Sequence, residues 1–273
     1  MNAFDSNKIL LVATDLDDTL IDRSFILSPY TLEVLHRVQQ QGTKIILATG
    51  RSHHSCAKYT SEIGLAGPII SLQGALIKSL EGKILYSAYL DSNAVLQALD
   101  LAELSGVQTN LFDDTNWYLA NKDIEKEPWK ILFTGIKPIP LENLRELSAS
   151  GILKIVFTGK YSSLMDLKSK ADLLLGNKYH IFFSQKELLE ITSKQASKGI
   201  ALEFICSRWK IDPKNVLSIG NAPNDISMFS FSGYSAAPSD AFPEVLEIVD
   251  QIIGPSPEDG VAKFLEEIFL NGK

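Results

Sequence analysis

Apolar residues fall along this chain in two rhythms. Short runs rich in branched aliphatics, at residues 9–13, 44–48 and 68–72, have the length and the lack of alternation expected of strands buried on both faces. After the first run comes Ser28-Pro29, an N-cap followed by a proline suited to the first helical position, and then Leu32, Leu35 and Val38 at helical spacing as far as Gly42. Another helix is expected between the second and third runs. Strands alternating with helices in this way predict a parallel sheet with helices on both faces.

From about residue 82 the rhythm changes. Gly82 reads as a hairpin turn, and Asp113-Asp114 separates short strands around Leu111 and at 117–120. Helical patterns at 93–104, 141–147 and 163–175 alternate with strands at 152–158 and 179–184. The expectation is a separate α+β domain over 82–190, inserted into a core made of 1–81 and 191–273. The first rhythm resumes with a helix over 199–209, a strand at 215–219, a helix after Asn224 and a last helix over 260–269. No internal repeat or low-complexity stretch interrupts it.

With 273 residues, 45% of them hydrophobic, the chain can bury a substantial core. Its net charge of -7 argues against a nucleic-acid groove or an anionic membrane surface, both of which require a basic face. Cys56 and Cys206 form no closely spaced pair, so reduced, structural thiols are expected rather than a disulfide framework or a zinc site. The first eight residues lack the basic and apolar segments of a secretory signal, and no run reaches the roughly 20 apolar residues a bilayer requires. A cytoplasmic protein is expected.

Candidate chemistry begins where the first strand ends, at Asp15-Leu16-Asp17-Asp18-Thr19. In a parallel α/β sheet ligands bind beyond the carboxyl ends of the strands, so these side chains can converge on one small anion. Asp15 can act as a nucleophile on phosphorus, and Asp17 as general acid and then base, with Thr19 tying the turn. The same residues could simply cap a helix or solvate a turn. A carboxylate 4 Å from a single negative charge is repelled by about 4 kcal/mol at an effective dielectric of 20, so a phosphate here needs a cation. Magnesium, which accepts carboxylate oxygens and bridges to phosphate, is the natural choice.

Three more segments offer matching groups. Thr49 ends the second strand and could give its hydroxyl and the following N–H groups to a phosphate oxygen, with Gly50 allowing close approach; a plain helix cap is the alternative. Arg51 is a candidate contact to substrate or phosphate, or a surface ion pair. Lys198, before an apolar helix, could neutralise phosphate and hold the attacking carboxylate, or be only a solvated charge. Gly220-Asn221-Ala222-Pro223-Asn224-Asp225, after the strand at 215–219, could complete a cation shell or be a polar capped loop.

In their order these four segments resemble the motifs of the haloacid dehalogenase (HAD) superfamily, and more closely its Cof-type subfamily IIB phosphatases. Leu72-Gln73-Gly74-Ala75, Glu190-Ile191 and Asp259-Gly260-Val261-Ala262 resemble further landmarks of that family. The resemblance covers nearly the whole chain. It implies an α/β, Rossmann-like HAD core with a parallel sheet and an inserted α+β cap of the C2B type, acting as a mobile lid. It implies Asp15 as nucleophile and magnesium ligand, and Asp17 as acid/base lending its backbone carbonyl to the metal. The backbone of Leu16 with Thr49, Gly50, Lys198 and Asn224 would hold the phosphoryl group. Asn221 and Asp225 would complete the Mg2+ site.

Two positions depart from the family pattern, which usually has Gly where Asp18 stands and Asp where Asn221 stands. Asn221 still offers a carbonyl oxygen, but without a formal charge it should hold the ion less tightly, with Asp225 compensating. The implied function is a magnesium-dependent phosphatase acting on a small phosphorylated metabolite, a sugar phosphate or related monoester. A phosphomutase of the same superfamily and a weakened binder of phosphorylated metabolites are the rivals. A receiver-type signalling domain fits poorly, because the nucleophile sits on the first strand and the chain carries a large insertion. Trp117 and Trp129 could stack on a sugar or flat ring, although packing is the commoner use of such residues. Oligomeric state is not legible in the sequence.

Overall fold

The strand β1 (Leu11–Thr14) is buried at every position because it lies between two parallel neighbours, which accounts for its lack of alternation. In the computed structural model, which describes residues 8–120 and 136–271, the chain separates into two compact units. One contains residues 1–50, 57–85 and 197–273, the other 51–56 and 86–196.

The first unit is built on five parallel strands, β1, β2 (Lys44–Leu47), β12 (Val216–Ile219), β13 (Tyr234–Pro238) and β14 (Gln251–Ile253), in the order β14-β13-β12-β1-β2. The strands numbered between them are described below. From β1 to β2 the chain steps one way across the sheet, and from β12 to β13 it steps the other. Right-handed crossovers therefore put α1 (Pro29–Gln40) on one face and the short helix α6 (Ile226–Phe231) on the opposite one. The helix packing agrees: α1 lies against α8 (Gly260–Leu265), whereas α6 lies against α5 (Lys198–Trp209). The reversal falls between β1 and β12, and a crevice opens beyond their carboxyl ends.

Local chemistry explains the elements that frame this crevice. Ser28 caps α1, its side chain accepting from Thr31 N, with Pro29 at the first position; Thr31, Val34, Leu35 and Val38 form the buried stripe. Past β2, a parallel bridge from Ala48 to Ile70 joins β3 (Ile69–Ser71). That strand then pairs antiparallel with β4 (Leu76–Lys78), followed in the same sheet by β5 (Ile84–Ser87). Gly82, with φ +84°, turns the chain between β4 and β5, as its sequence context suggests.

The second unit holds a six-stranded sheet in the order β10-β11-β9-β6-β7-β8. Its strands are β6 (Gln108–Phe112), β7 (Trp117–Leu119), β8 (Ile139–Pro140), β9 (Lys154–Thr158), β10 (Tyr179–Gln185) and β11 (Leu188–Ser193). One face, with Leu111, Ile155, Phe157 and Ile191, forms a core with the helices α3 (Ser92–Ser105) and α4 (Tyr161–Leu175). Alternate residues Asn110, Lys154 and Glu190 are buried on the other face, where Lys154 and Glu190 pair at 3.3 Å.

Two expectations need correction here. The helical pattern at 141–147 yields only a 3₁₀ turn, Leu144–Leu147, because Asn143 caps it by accepting from Arg145 N at 3.1 Å and Leu144 is its one buried residue. The expected boundary at 190 cuts through β11, whose pairing with β10 continues to Ser193. Trp117 takes the commoner of its two expected uses, packing: it is 1% exposed, its indole N–H donates to Asn110 Oδ1 at 3.0 Å, and it stacks on Phe112. Trp129 lies outside the described residues. Both cysteines are free and buried. No helix among the described residues is long and apolar enough to cross a membrane.

Candidate active site

Asp15 extends the β1 ladder by one residue, its N–H donating to Ile219 O at 2.8 Å, so its carboxyl leaves the sheet between β1 and β12 while staying buried. The chain then doubles back. Leu16 O accepts from Leu20 N and Ile21 N at 3.0 and 2.9 Å, and the Thr19 hydroxyl donates to Asp15 Oδ2 at 3.3 Å, the tie expected from the sequence. Asp17 is half-buried in this turn. Asp18 stands at φ +53°, a left-handed conformation that costs glycine nothing and that Asp tolerates better than most residues. Its side chain is 48% exposed and lies 3.7 Å from Arg23.

Lys198 opens α5, where the Ser197 hydroxyl caps the helix by accepting from Ile200 N at 3.1 Å. Its ammonium is 1% exposed and donates at 2.6 Å to both Asp15 Oδ1 and Asp225 Oδ1. The other oxygen of Asp225 accepts from the N–H groups of Asn221 and Ala222, each at 3.0 Å. Gly220 makes that loop possible, since a Cβ there would sit 2.6 Å from Asp225 Oδ2.

The charges are unevenly balanced. Burial pushes the Asp15 carboxyl up to about 7; Lys198 opposes the rise, while Asp225 and Asp17 add to it. For Lys198 burial disfavours the charge, yet Asp15 and Asp225 outweigh that and hold the ammonium protonated well above the ordinary lysine range.

A second string of contacts adjoins the first. Thr49, fully buried after β2, donates its N–H to Ile70 O at 2.9 Å and accepts from Gln73 N at 3.1 Å. A Cβ on Gly50 would lie 2.5 Å from Gln73 Nε2, so the absent side chain makes room for this amide. Asn224 donates from Nδ2 to Gln73 Oε1 at 2.7 Å. Gln73 lies within the Leu72-Gln73-Gly74-Ala75 motif, but the backbone twist that aims its side chain is not legible in the sequence. Arg51 is buried, and it clusters with the second unit.

The donor set fits magnesium. Asp15 Oδ2, the Asp17 carbonyl and the Asn221 carboxamide are all hard oxygen donors, and the buried acid is only partly neutralised by Lys198. Asp225, expected among the ligands, is instead fully buried with both oxygens engaged, one by Lys198 and one by two N–H groups, so it braces the site. Among the described residues no cluster of three or more His, Cys, Asp or Glu side chains is arranged to hold a metal. An ion here would rest on few carboxylates and keep several waters, which is magnesium's habit.

A lysine shared by two buried carboxylates at the switch point of a parallel sheet, with a second unit inserted in the chain, is an arrangement suited to phosphoryl transfer in an α/β fold. Residues 12–265 match the family model of haloacid dehalogenase-like hydrolases, and the chain belongs to that family. Among its relatives, the HMP-PP phosphatase of Yersinia pestis (strain Pestoides F) is 28% identical over 259 residues, covering 93% of each chain. That of Enterobacter sp. (strain 638) is 27% identical, covering 93% of this chain and 94% of the relative. A haloacid dehalogenase-like hydrolase from Bacteroides thetaiotaomicron shares the fold with a TM-score of 0.88 at 24% identity, over 96% of this chain and 100% of its own. A HAD subclass IIB sugar phosphatase superposes with a TM-score of 0.81 at 21% identity, over 94% of this chain and 98% of its own.

Proposed function

We propose that this HAD-type phosphatase hydrolyses a small phosphorylated metabolite, a sugar phosphate or related phosphomonoester, through a phosphoryl group carried on Asp15. The observation that carries this reading is the 2.6 Å contact between Lys198 Nζ and Asp15 Oδ1. It fixes one carboxylate oxygen and leaves Oδ2, whose side-chain contact among the described residues is a 3.3 Å hydroxyl hydrogen bond from Thr19, to attack phosphorus.

In this reading Asp15 Oδ2 bonds to phosphorus as the bond to the leaving oxygen breaks, and Asp17 protonates that oxygen. Asp17 then takes a proton from water, whose oxygen attacks phosphorus and releases inorganic phosphate and the Asp15 carboxylate. Lys198, Thr49, Gly50, the Leu16 N–H and Asn224 hold the phosphoryl oxygens. Asp15, the Asp17 carbonyl and Asn221 would hold Mg2+, which supplies positive charge against the repulsion between substrate and carboxylates. The first unit serves as the catalytic core and the second as the inserted cap; Arg51 is assigned to substrate rather than to catalysis. The net charge of -7 supports a cytoplasmic enzyme with no nucleic-acid or membrane partner.

The test is release of inorganic phosphate from p-nitrophenyl phosphate with magnesium present. Turnover is expected, and Asp15→Asn should abolish it while leaving the circular dichroism unchanged. Turnover by that variant at the wild-type rate would remove Asp15 as nucleophile. A screen of sugar phosphates, nucleotides, phosphorylated vitamins and HMP-PP, the compound in the relatives' names, would then rank substrates. Transfer to a second sugar hydroxyl in place of water would favour a mutase, and phosphate binding without turnover a sensor.

A further inference from the structure

We propose that Gln73 is a positioning residue for phosphate binding, acting through Asn224. The proposal rests on the reading of Asn224 as a phosphate contact.

The turn Leu72–Gly74 touches three of the segments assigned to the phosphoryl group, those of Thr49-Gly50, Lys198 and Asn224. Gln73 N donates to Thr49 O at 3.1 Å, and the Gln73 side chain fills the space left by Gly50. At Gly74, with φ +88°, a Cβ would come within 2.2 Å of Ser197 O, the residue before Lys198. On its remaining side Gln73 Oε1 accepts from Asn224 Nδ2 at 2.7 Å.

This turn holds a conformation that its residues do not favour. Leu72 and Gln73 both lie at positive φ, 51° and 62°, and both are buried. Consecutive left-handed non-glycine residues persist only where the surroundings impose them, and such strain gathers at functional sites. Here it aims the Gln73 carboxamide at Asn224.

Asn224 depends on that contact. Its Oδ1 is buried with no hydrogen-bond partner, so its acceptor does nothing to fix the amide plane. Among the described residues Gln73 Oε1 is the side-chain partner that sets its orientation. One Nδ2 hydrogen is committed to Gln73, and the second is held ready for an anion. Without Gln73 the amide would rotate freely and each phosphate encounter would have to order it afresh. Burial of Gln73 and the absence of any charge on it suit an orienting role rather than a proton-transfer one.

The test is the Kd of inorganic phosphate, measured by calorimetry with magnesium, for the wild type, Gln73→Met, Asn224→Ala and the double variant. Gln73→Met keeps the length and removes the acceptor. It should weaken phosphate about tenfold, as loss of one hydrogen bond that orients a donor to a charged ligand implies. Asn224→Ala should weaken it at least as much, and the double variant no further, because Gln73 then has nothing left to orient. An unchanged Kd for Gln73→Met, or losses that multiply in the double variant, would overturn the proposal. An unchanged Kd for Asn224→Ala would also overturn it, while the Asp15→Asn turnover test stands apart. Thermal midpoints separate a merely structural effect, which lowers stability without this non-additivity. Should Gln73→Met fail to fold, Gln73→Asn, which keeps the amide but is one methylene too short to reach, makes the same comparison.

Discussion

Lys198 Nζ stands 2.6 Å from Asp15 Oδ1, and this contact joins residues far apart in sequence at the point where the sheet reverses its order. The same ammonium holds Asp225, so one cation serves two buried acids. Replacing it with methionine should do two things. Turnover of p-nitrophenyl phosphate should fall by about 10²–10³-fold, the usual loss for a group that stabilises developing charge. The urea midpoint should also fall, by an amount corresponding to about 3–5 kcal/mol, because the acids would be buried without their cation. Wild-type turnover in Lys198→Met would exclude Lys198 from the chemistry.

Asn221 occupies a place where the family usually has a carboxylate, and its main chain is pinned by bonds from Asn221 N to Asp225 Oδ2 at 3.0 Å and from Phe242 N to Asn221 O at 2.9 Å. The backbone therefore needs no change for Asn221→Asp to add a formal charge. That variant should lower the magnesium concentration giving half-maximal turnover by about tenfold, the equivalent of ~1.4 kcal/mol from one more charge near the ion. A titration showing an unchanged or higher requirement would remove Asn221 from the ion's surroundings.

Asp18 carries a backbone penalty that glycine would not. Asp18→Gly should stabilise the protein by a few tenths to about 1 kcal/mol by relieving the left-handed conformation, since the exposed pair with Arg23 at 3.7 Å contributes little. Thermal melting and urea titration together would show it; a lower midpoint in both would mean that the Arg23 contact outweighs the strain.

In the second unit Tyr179 donates its hydroxyl to Asp91, which also caps α3 by accepting from Ala94 N at 2.8 Å. The Tyr179 bond holds the Asp91 carboxyl below its ordinary range, so its stabilising effect is present above the unfolded carboxylate pKa near 3.9 and is lost as pH falls through the lower folded value. Burial, joined by Asp91, pushes the Tyr179 phenol up to about 12. Its stabilising effect is complete below the unfolded value of 10.0 and is lost as pH rises through about 12. Tyr179→Phe should flatten both limbs of a stability-against-pH curve, and Asp91→Ala should cost about 1–2 kcal/mol near neutrality through the lost cap. A Tyr179→Phe curve that overlays the wild type would refute the coupling.

What could be read beforehand depended on how local its cause was. The buried run ending at Asp15 and the Ser28-Pro29 cap are decided within a few residues, and the structure places β1 and α1 there. Residues 141–147 carry a helical pattern too short to outvote the cap at Asn143, and one 3₁₀ turn results. The site divides along the same line. Asp15, Thr19 and Lys198 announced themselves by residue type at strand and helix ends. Asp225 looked like a metal ligand because its commitment to Lys198 and two main-chain N–H groups exists only once β12 lies beside β1. Gln73 was hidden because its importance lies in a positive φ at a residue that seldom adopts one.

Each compact unit contains one thiol, Cys206 in the first and Cys56 in the second, and neither reaches the surface. Burial pushes Cys206 up to about 12, so even a brief exposure must return it to water before the reactive thiolate forms. The rate at which each sulfur reacts with a dilute alkylating reagent therefore reports the opening of its own unit, and the unaltered chain contains two internal clocks for local unfolding.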